Sequence, residues 1–180
     1  MFKPLVVLFS LLLSACAGIS QYSVAESEIE RSLYTLLEEQ APRFTQGLVQ
    51  TRVDNLDLQI GPDNRQVVRL NLKGETAINA LVARFPAQLD LAIEGRPVYD
   101  RQQNAIFIRD LNLLQSKVDA FGYQGDMAAA SAGMMQLVRA VLENQPVYRL
   151  DDSRYGWLKT VPVAMDILPG QLVFSPRFSD

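Results

Sequence analysis

The sequence predicts an α+β domain in which a long, curved antiparallel sheet packs on helices. Three observations carry this. An amphipathic helical stretch comes first, then about four long runs of alternating hydrophobicity separated by turn signals. A second helical stretch follows, and three short strand-like runs close the chain.

Residues from Ala25 to about Ala41 carry Ile29, Leu33, Leu36 and Leu37 at helical spacing, with Glu28, Glu30, Glu38 and Glu39 between them. Glu26 and Glu28 suit a helix N-terminus through the dipole, and Pro42 is expected to end the helix. Leu56, Leu58 and Ile60 then alternate with polar residues, as do Val68, Leu70 and Leu72. Gly61-Pro62-Asp63-Asn64 between them marks a hairpin. From Leu81 to Ile93 every odd position is apolar, a run about twice the ordinary strand length. Pro86 cannot donate to a ladder, so an edge, bend or bulge is expected there. Gly95-Arg96-Pro97 weakens the pattern at its end. Ala105 to Val118 reads as a further strand pair. Its inward parity changes between Ile106/Ile108 and Leu111/Leu113, which a bulge near Arg109-Asp110 would produce.

Gly122 to Gly125 reads as a loop, and Asp126 suits the N-cap of a second helix from Met127 to about Asn144, stopped by Pro146. Val147 to Leu150 reads as a short strand and Asp151-Asp152-Ser153 as a turn. Val161 to Ile167 and Gln171 to Phe174 flank Leu168-Pro169-Gly170 as a closing hairpin.

The N-terminus has the three regions of an export signal: Lys3, the apolar run Leu5 to Leu13, and the small residues Ser14 and Ala15. The apolar run is shorter than the roughly 20 residues a bilayer span needs. Leu12-Leu13-Ser14-Ala15-Cys16 contains the only cysteine of the 180 residues. It resembles the lipobox of bacterial lipoproteins. That resemblance implies removal of residues 1–15 and acylation of Cys16, with palmitate-type chains anchoring the protein to a membrane. Ala17 follows; the absence of Asp there implies, by the same resemblance, the outer membrane and its periplasmic side. Residues 16–24 then form a lipidated N-terminus and short tether, about eight residues reaching at most about 28 Å. Residues 25–180 form one domain, large enough for a core without disulfides.

Composition narrows the function. With 17 Lys+Arg against 20 Asp+Glu, the surface is mildly acidic, which argues against nucleic acid as a partner. There is no histidine, which removes Ser-His-Asp and Cys-His catalysis and His-ligated zinc. No nucleotide-binding glycine pattern occurs, and Asp54, Asp57 and Asp63 lack the spacing of a calcium loop. Glu38-Glu39 and Asp151-Asp152 read as solvated. No cofactor and no enzymatic activity are expected. Met127, Met134 and Met135 either fill core gaps or form an adaptable apolar wall. Tyr155, Trp157 and Phe174, with Arg154 and Lys159, either pack in the ordinary way or form a membrane- or partner-contacting edge.

The lipobox, the Glu-rich first helix, the alternating run 81–93 and the closing segment Val163 to Phe174 together resemble the YceB-like lipoproteins of Gram-negative envelopes, a family without an established function. The resemblance implies a fold similar to half of the tubular (BPI-like) lipid-binding proteins: a strongly curved antiparallel sheet wrapped on an N-terminal helix. It raises the expectation that a lipid or other apolar small molecule binds between sheet and helix. Leu33, Leu37, Phe85, Leu89, Leu91, Ile93 and Met134 are the expected wall residues. The alternative is a membrane-tethered module that binds a protein of an envelope assembly. The anchor gives a direct prediction. Metabolic labelling with palmitate should mark the wild-type chain and not Cys16→Ser; label retained by the variant would place the acyl chain elsewhere.

Overall fold

The computed structural model describes residues 21–44, 49–80, 83–120 and 142–177, together with Met135, Val138 and Arg139; for 40–44, 49–52, 76–80, 83–85, 118 and 120 it describes the backbone. The fold is α+β. Strand β1 (Tyr22–Ala25) leads directly into helix α1 (Glu26–Phe44). Four long strands follow: β2 (Val49–Ile60), β3 (Val68–Ala80), β4 (Ala83–Asp100) and β5 (Ala105–Ala120). Met135, Val138, Arg139 and Leu142 are helical. Strand β6 (Tyr148–Arg149), the short helix α2 (Asp152–Tyr155) and the hairpin β7 (Val163–Leu168) and β8 (Gln171–Pro176) complete the chain.

Strands β2-β3-β4-β5-β6 form one antiparallel sheet in sequence order, curled into a half-barrel; β1-β8-β7 form a second. The inner face of the half-barrel is built in cross-strand rows. Leu56, Leu72 and Leu91 align in one row and Leu58, Leu70 and Ile93 in the next, all buried. Rows of this kind put branched side chains in contact across neighbouring strands. The row Ile60–Val68–Gly95 ends in glycine because a Cβ at Gly95 would collide with Ile108 Cγ2 and sit 2.8 Å from Leu111 Cδ2.

Two bulges let β5 follow the curl. The register with β4 shifts between Glu94 and Arg96, where Asp110 takes φ 55, as the parity change near Arg109-Asp110 requires. A second shift lies between Ala92 and Ile93 and leaves Leu114 exposed. Ala105 to Ala120 is thus one bulged strand and not a strand pair. Pro86 pairs with Ala77 of β3 without a register shift, and the last described β4–β5 pair is Ala87–Ala120. Pro97 lies past the end of β3, whose register with β4 stops at Gly95, so β4 continues through Gly95-Arg96-Pro97 instead of weakening there.

Other expectations are corrected at element ends. Helix α1 runs past Pro42 to Phe44, because a proline disrupts the turn before it and not the two residues after it. Asp151 is not in a simple turn: it caps α2 by accepting from the Ser153 amide at 2.8 Å and the Ser153 hydroxyl at 2.7 Å. Tyr22 to Val24, expected in the tether, pair with Leu172 to Phe174 of β8.

The edges of the half-barrel are met by charged side chains of matching sense. On β2, the Leu58 amide donates to Glu30 Oε2 at 3.1 Å and the Ile60 amide to Glu26 Oε2 at 2.8 Å. On β5, Arg139 Nη2 donates to the Leu111 carbonyl at 3.1 Å, and Arg109 Nη1 donates to the Glu143 carbonyl. At the junction of the two sheets, the Gly170 amide donates to the Ile60 carbonyl at 2.9 Å, and the Glu26 amide donates to the Gly170 carbonyl at 3.0 Å. Gly61 takes φ 63 against the Leu168-Pro169 backbone, 3.1 Å from where a Cβ would sit, so a side chain there is excluded twice. Glu26→Ala should lower unfolding free energy by about 1–3 kcal/mol, since it leaves the Ile60 amide without its acceptor. Glu26→Gln, which keeps an acceptor oxygen, should lose less; urea denaturation of both variants checks the order.

Candidate functional site

The apolar stripe of α1 changes character along its length. Ile29 and Leu33 are 1 % and 0 % exposed, whereas Leu36 and Leu37 are half-buried. Leu33, Leu89, Leu91 and Ile93 meet in one core with Leu56, Leu58 and the helical Met135, Val138 and Leu142. All are between 0 and 9 % exposed, so this part of the sheet–helix interface is filled. Leu37 packs at the rim of that core. Cys16, Met134 and the side chain of Phe85 lie outside the described residues, as do Met127 and the proposed N-cap Asp126. The backbone register continues the sheet beyond the filled core, aligning Val49, Ile78 and Phe85 across β2, β3 and β4. Strand β4, 18 residues long, spans about 60 Å, whereas the 19 residues of α1 span about 28 Å. The sheet therefore extends well past what one helix covers.

A groove of about 590 Å³ lies along the outer flank of α1. Glu28, Arg31, Ser32 and Leu36 line one side; Pro146, Tyr148 and Arg149 line the other. Leu36 belongs to both the groove and the rim of the core, so the two regions adjoin. Sequence reading missed this groove. The stripe Glu28, Arg31, Leu36 and Glu39 is legible at helical spacing, but nothing in the spacing says that residues 145–149 stand opposite it.

The aromatic residues resolve differently. Phe174 is fully buried, Tyr22 stacks on Tyr155 with ring centroids 3.6 Å apart, and Tyr99 meets Phe174 edge-on at 5.1 Å. Trp157 is half-buried against the same core. Tyr155 of α2, Trp157 in the 3-10 turn Gly156–Lys159 and Phe174 of β8 are packing residues, not a continuous exposed edge. Burial, followed by a hydrogen bond with Tyr148, pushes the Tyr22 hydroxyl well above the usual tyrosine range, so it stays neutral.

The chain matches the model of a family described as a protein of unknown function, DUF1439, over residues 24–171. The chain belongs to this family. Among its curated relatives are the uncharacterised lipoproteins YceB of Escherichia coli, 26 % identical over 167 residues, and of Salmonella typhimurium, 24 % identical over 172 residues. Each comparison covers 90 % of both chains. These relatives support a membrane-anchored envelope lipoprotein. Among the described residues no helix is long and apolar enough to cross a membrane.

The carboxylates with shifted acidity are bound to the protein itself. Asp152 accepts from Lys159 Nζ and from Asn104 Nδ2, both at 2.7 Å, and Lys159 chiefly holds it below the usual carboxylate range. The Ser153 hydroxyl does the same for Asp151. Glu94, 8 % exposed on the outer face, is held in a fork by Arg65 and accepts from Arg69 Nη2 at 2.9 Å. The Arg65 hydrogen bonds hold its pKa below the usual 4.5 against an opposing burial effect. A depressed folded value means that Glu94 stabilises the fold fully above the unfolded value and loses that contribution as pH falls through the folded one. Glu94→Gln should therefore cost about 1–3 kcal/mol at pH 7. The gap from wild type should close as pH falls below 4.5, which denaturation midpoints between pH 7 and pH 3 will show.

Proposed function

We propose that this protein is a non-enzymatic lipoprotein, anchored through Cys16 to the periplasmic face of the outer membrane, that accommodates an acyl chain between α1 and the half-barrel. The observation that carries the reading is the gradient along α1. Its apolar stripe is sealed at Ile29 and Leu33 and half-open at Leu36 and Leu37, at the end where the strands continue beyond the filled core. An apolar helix face left partly uncovered beside a curved sheet gains about 0.8 kcal/mol for each methylene that it buries. The lipobox-like Leu12-Leu13-Ser14-Ala15-Cys16 and the lipoprotein relatives support the anchor. With β1 beginning at Tyr22, six residues after Cys16, the domain stays within about 21 Å of the anchor. An apolar ligand could then pass between bilayer and domain without crossing open water.

Native mass spectrometry of the lipidated chain, extracted gently from membranes, tests the reading. A co-purified lipid adduct is expected on the wild type and should be lost in Leu37→Arg. Because Leu37 is half-buried at the rim, its replacement should leave the unfolding midpoint close to wild type. A wild type without adduct, or an adduct indifferent to Leu37→Arg, overturns the proposal.

A further inference from the structure

Some charges of the described surface pair with one another and others face a groove. Arg65 and Arg69 are engaged by Glu94, Arg96 by Asp110 and Lys159 by Asp152. Glu28, Arg31, Glu39 and Arg149 all line the groove, yet among the described residues none of the four forms an ion pair. The groove lining thus presents two guanidiniums and two carboxylates, with a net charge of zero. Glu28, Arg31 and Glu39 are spaced along one flank of α1, and Arg149 stands across from them. Half-buried Leu36 and Pro146 complete the lining.

We infer that this groove binds a zwitterionic phosphate ester bearing an amine, the chemistry of a phosphoethanolamine head group. The inference rests on the lipid reading above and adds the head-group subsite to it. Arg31 and Arg149 offer planar, fork-shaped donors suited to a phosphate. Glu28 or Glu39 is the acceptor for the ammonium. A purely anionic head would meet the same two carboxylates without a cation to offset them, so the lining discriminates against it. Leu36, shared by groove and core rim, connects a head bound here to a chain lying against Leu37. The Tyr148 side of the groove is joined by a hydrogen bond to Tyr22 of β1, the strand nearest the anchor in the chain.

The lipidated full chain in detergent micelles tests this, with native mass spectrometry after addition of phosphatidylethanolamine or phosphatidylglycerol of the same acyl composition. Soluble phosphoethanolamine, followed by its phosphorus resonance, is the third probe. Wild type should retain phosphatidylethanolamine over phosphatidylglycerol by about tenfold. Arg31→Gln with Arg149→Gln should lower that retention by about tenfold or more, and Glu28→Gln with Glu39→Gln should erase the preference. All four positions are exposed, so unfolding midpoints should stay near wild type. Equal retention by wild type and the double arginine variant, or no preference between the two lipids, overturns the subsite. If Leu37→Arg abolishes retention while the arginine variant does not, the interior reading stands and the subsite falls. If phosphoethanolamine binds in an Arg31- and Arg149-dependent way and no phospholipid is retained, the subsite stands, its source is the free ester, and the interior reading falls.

Discussion

Three hydrogen bonds at one corner hold the architecture together. The Glu26 carboxylate accepts from the Ile60 amide, the Ile60 carbonyl accepts from the Gly170 amide, and the Gly170 carbonyl accepts from the Glu26 amide. The ring joins the start of α1, the end of β2 and the turn of the closing hairpin, which are far apart in sequence. Each group in it belongs to an element end or a sheet edge, where backbone polarity is otherwise left over. Gln66 Nε2 adds a further link between the half-barrel and the three-stranded sheet, donating to the Ile167 carbonyl at 3.2 Å.

The same requirement explains the charged residues that flank the half-barrel. An edge strand offers outward amides every second residue, about 6.8 Å apart, and a helix offers side chains every fourth residue, about 6 Å apart. Glu26 and Glu30 on α1 therefore fall into step with Ile60 and Leu58 on β2. At β5 the polarity is reversed, and an arginine, Arg139, meets the Leu111 carbonyl. Charges that look like ordinary solvated helix faces in the sequence serve here to terminate a sheet and to block its extension by another chain.

Much of the half-barrel was legible because a half-buried strand must alternate and a bulge must break that alternation. The parity change at Arg109-Asp110 foretold the bulge that Asp110 makes. Pro97 was misleading, since a proline is harmless in a long strand wherever one neighbour has already stopped. Strand β1 was hidden because four residues carry too little pattern to distinguish a strand from a linker, and its partner β8 lies at the other end of the chain. Of the expected wall residues, the core positions Leu33, Leu91 and Ile93 came from periodicity, which reports what is buried and not whether space remains beside it. The groove could not be read at all, because Arg149 reaches it through a tertiary contact between α1 and β6.

Strand β1 has a mechanical meaning beyond its part in the fold. It runs antiparallel to β8 from Tyr22–Phe174 to Ala25–Gln171, and the Glu26 ring follows immediately. A pull on the chain ahead of Tyr22 acts along the strand axis, so the interstrand bonds are loaded together in shear rather than opened one after another. Force arriving from that side is spread over the β1–β8 ladder and passed into the hairpin before it reaches α1. The four residues of β1 thus shield the apolar interior from motion that the N-terminal attachment imposes.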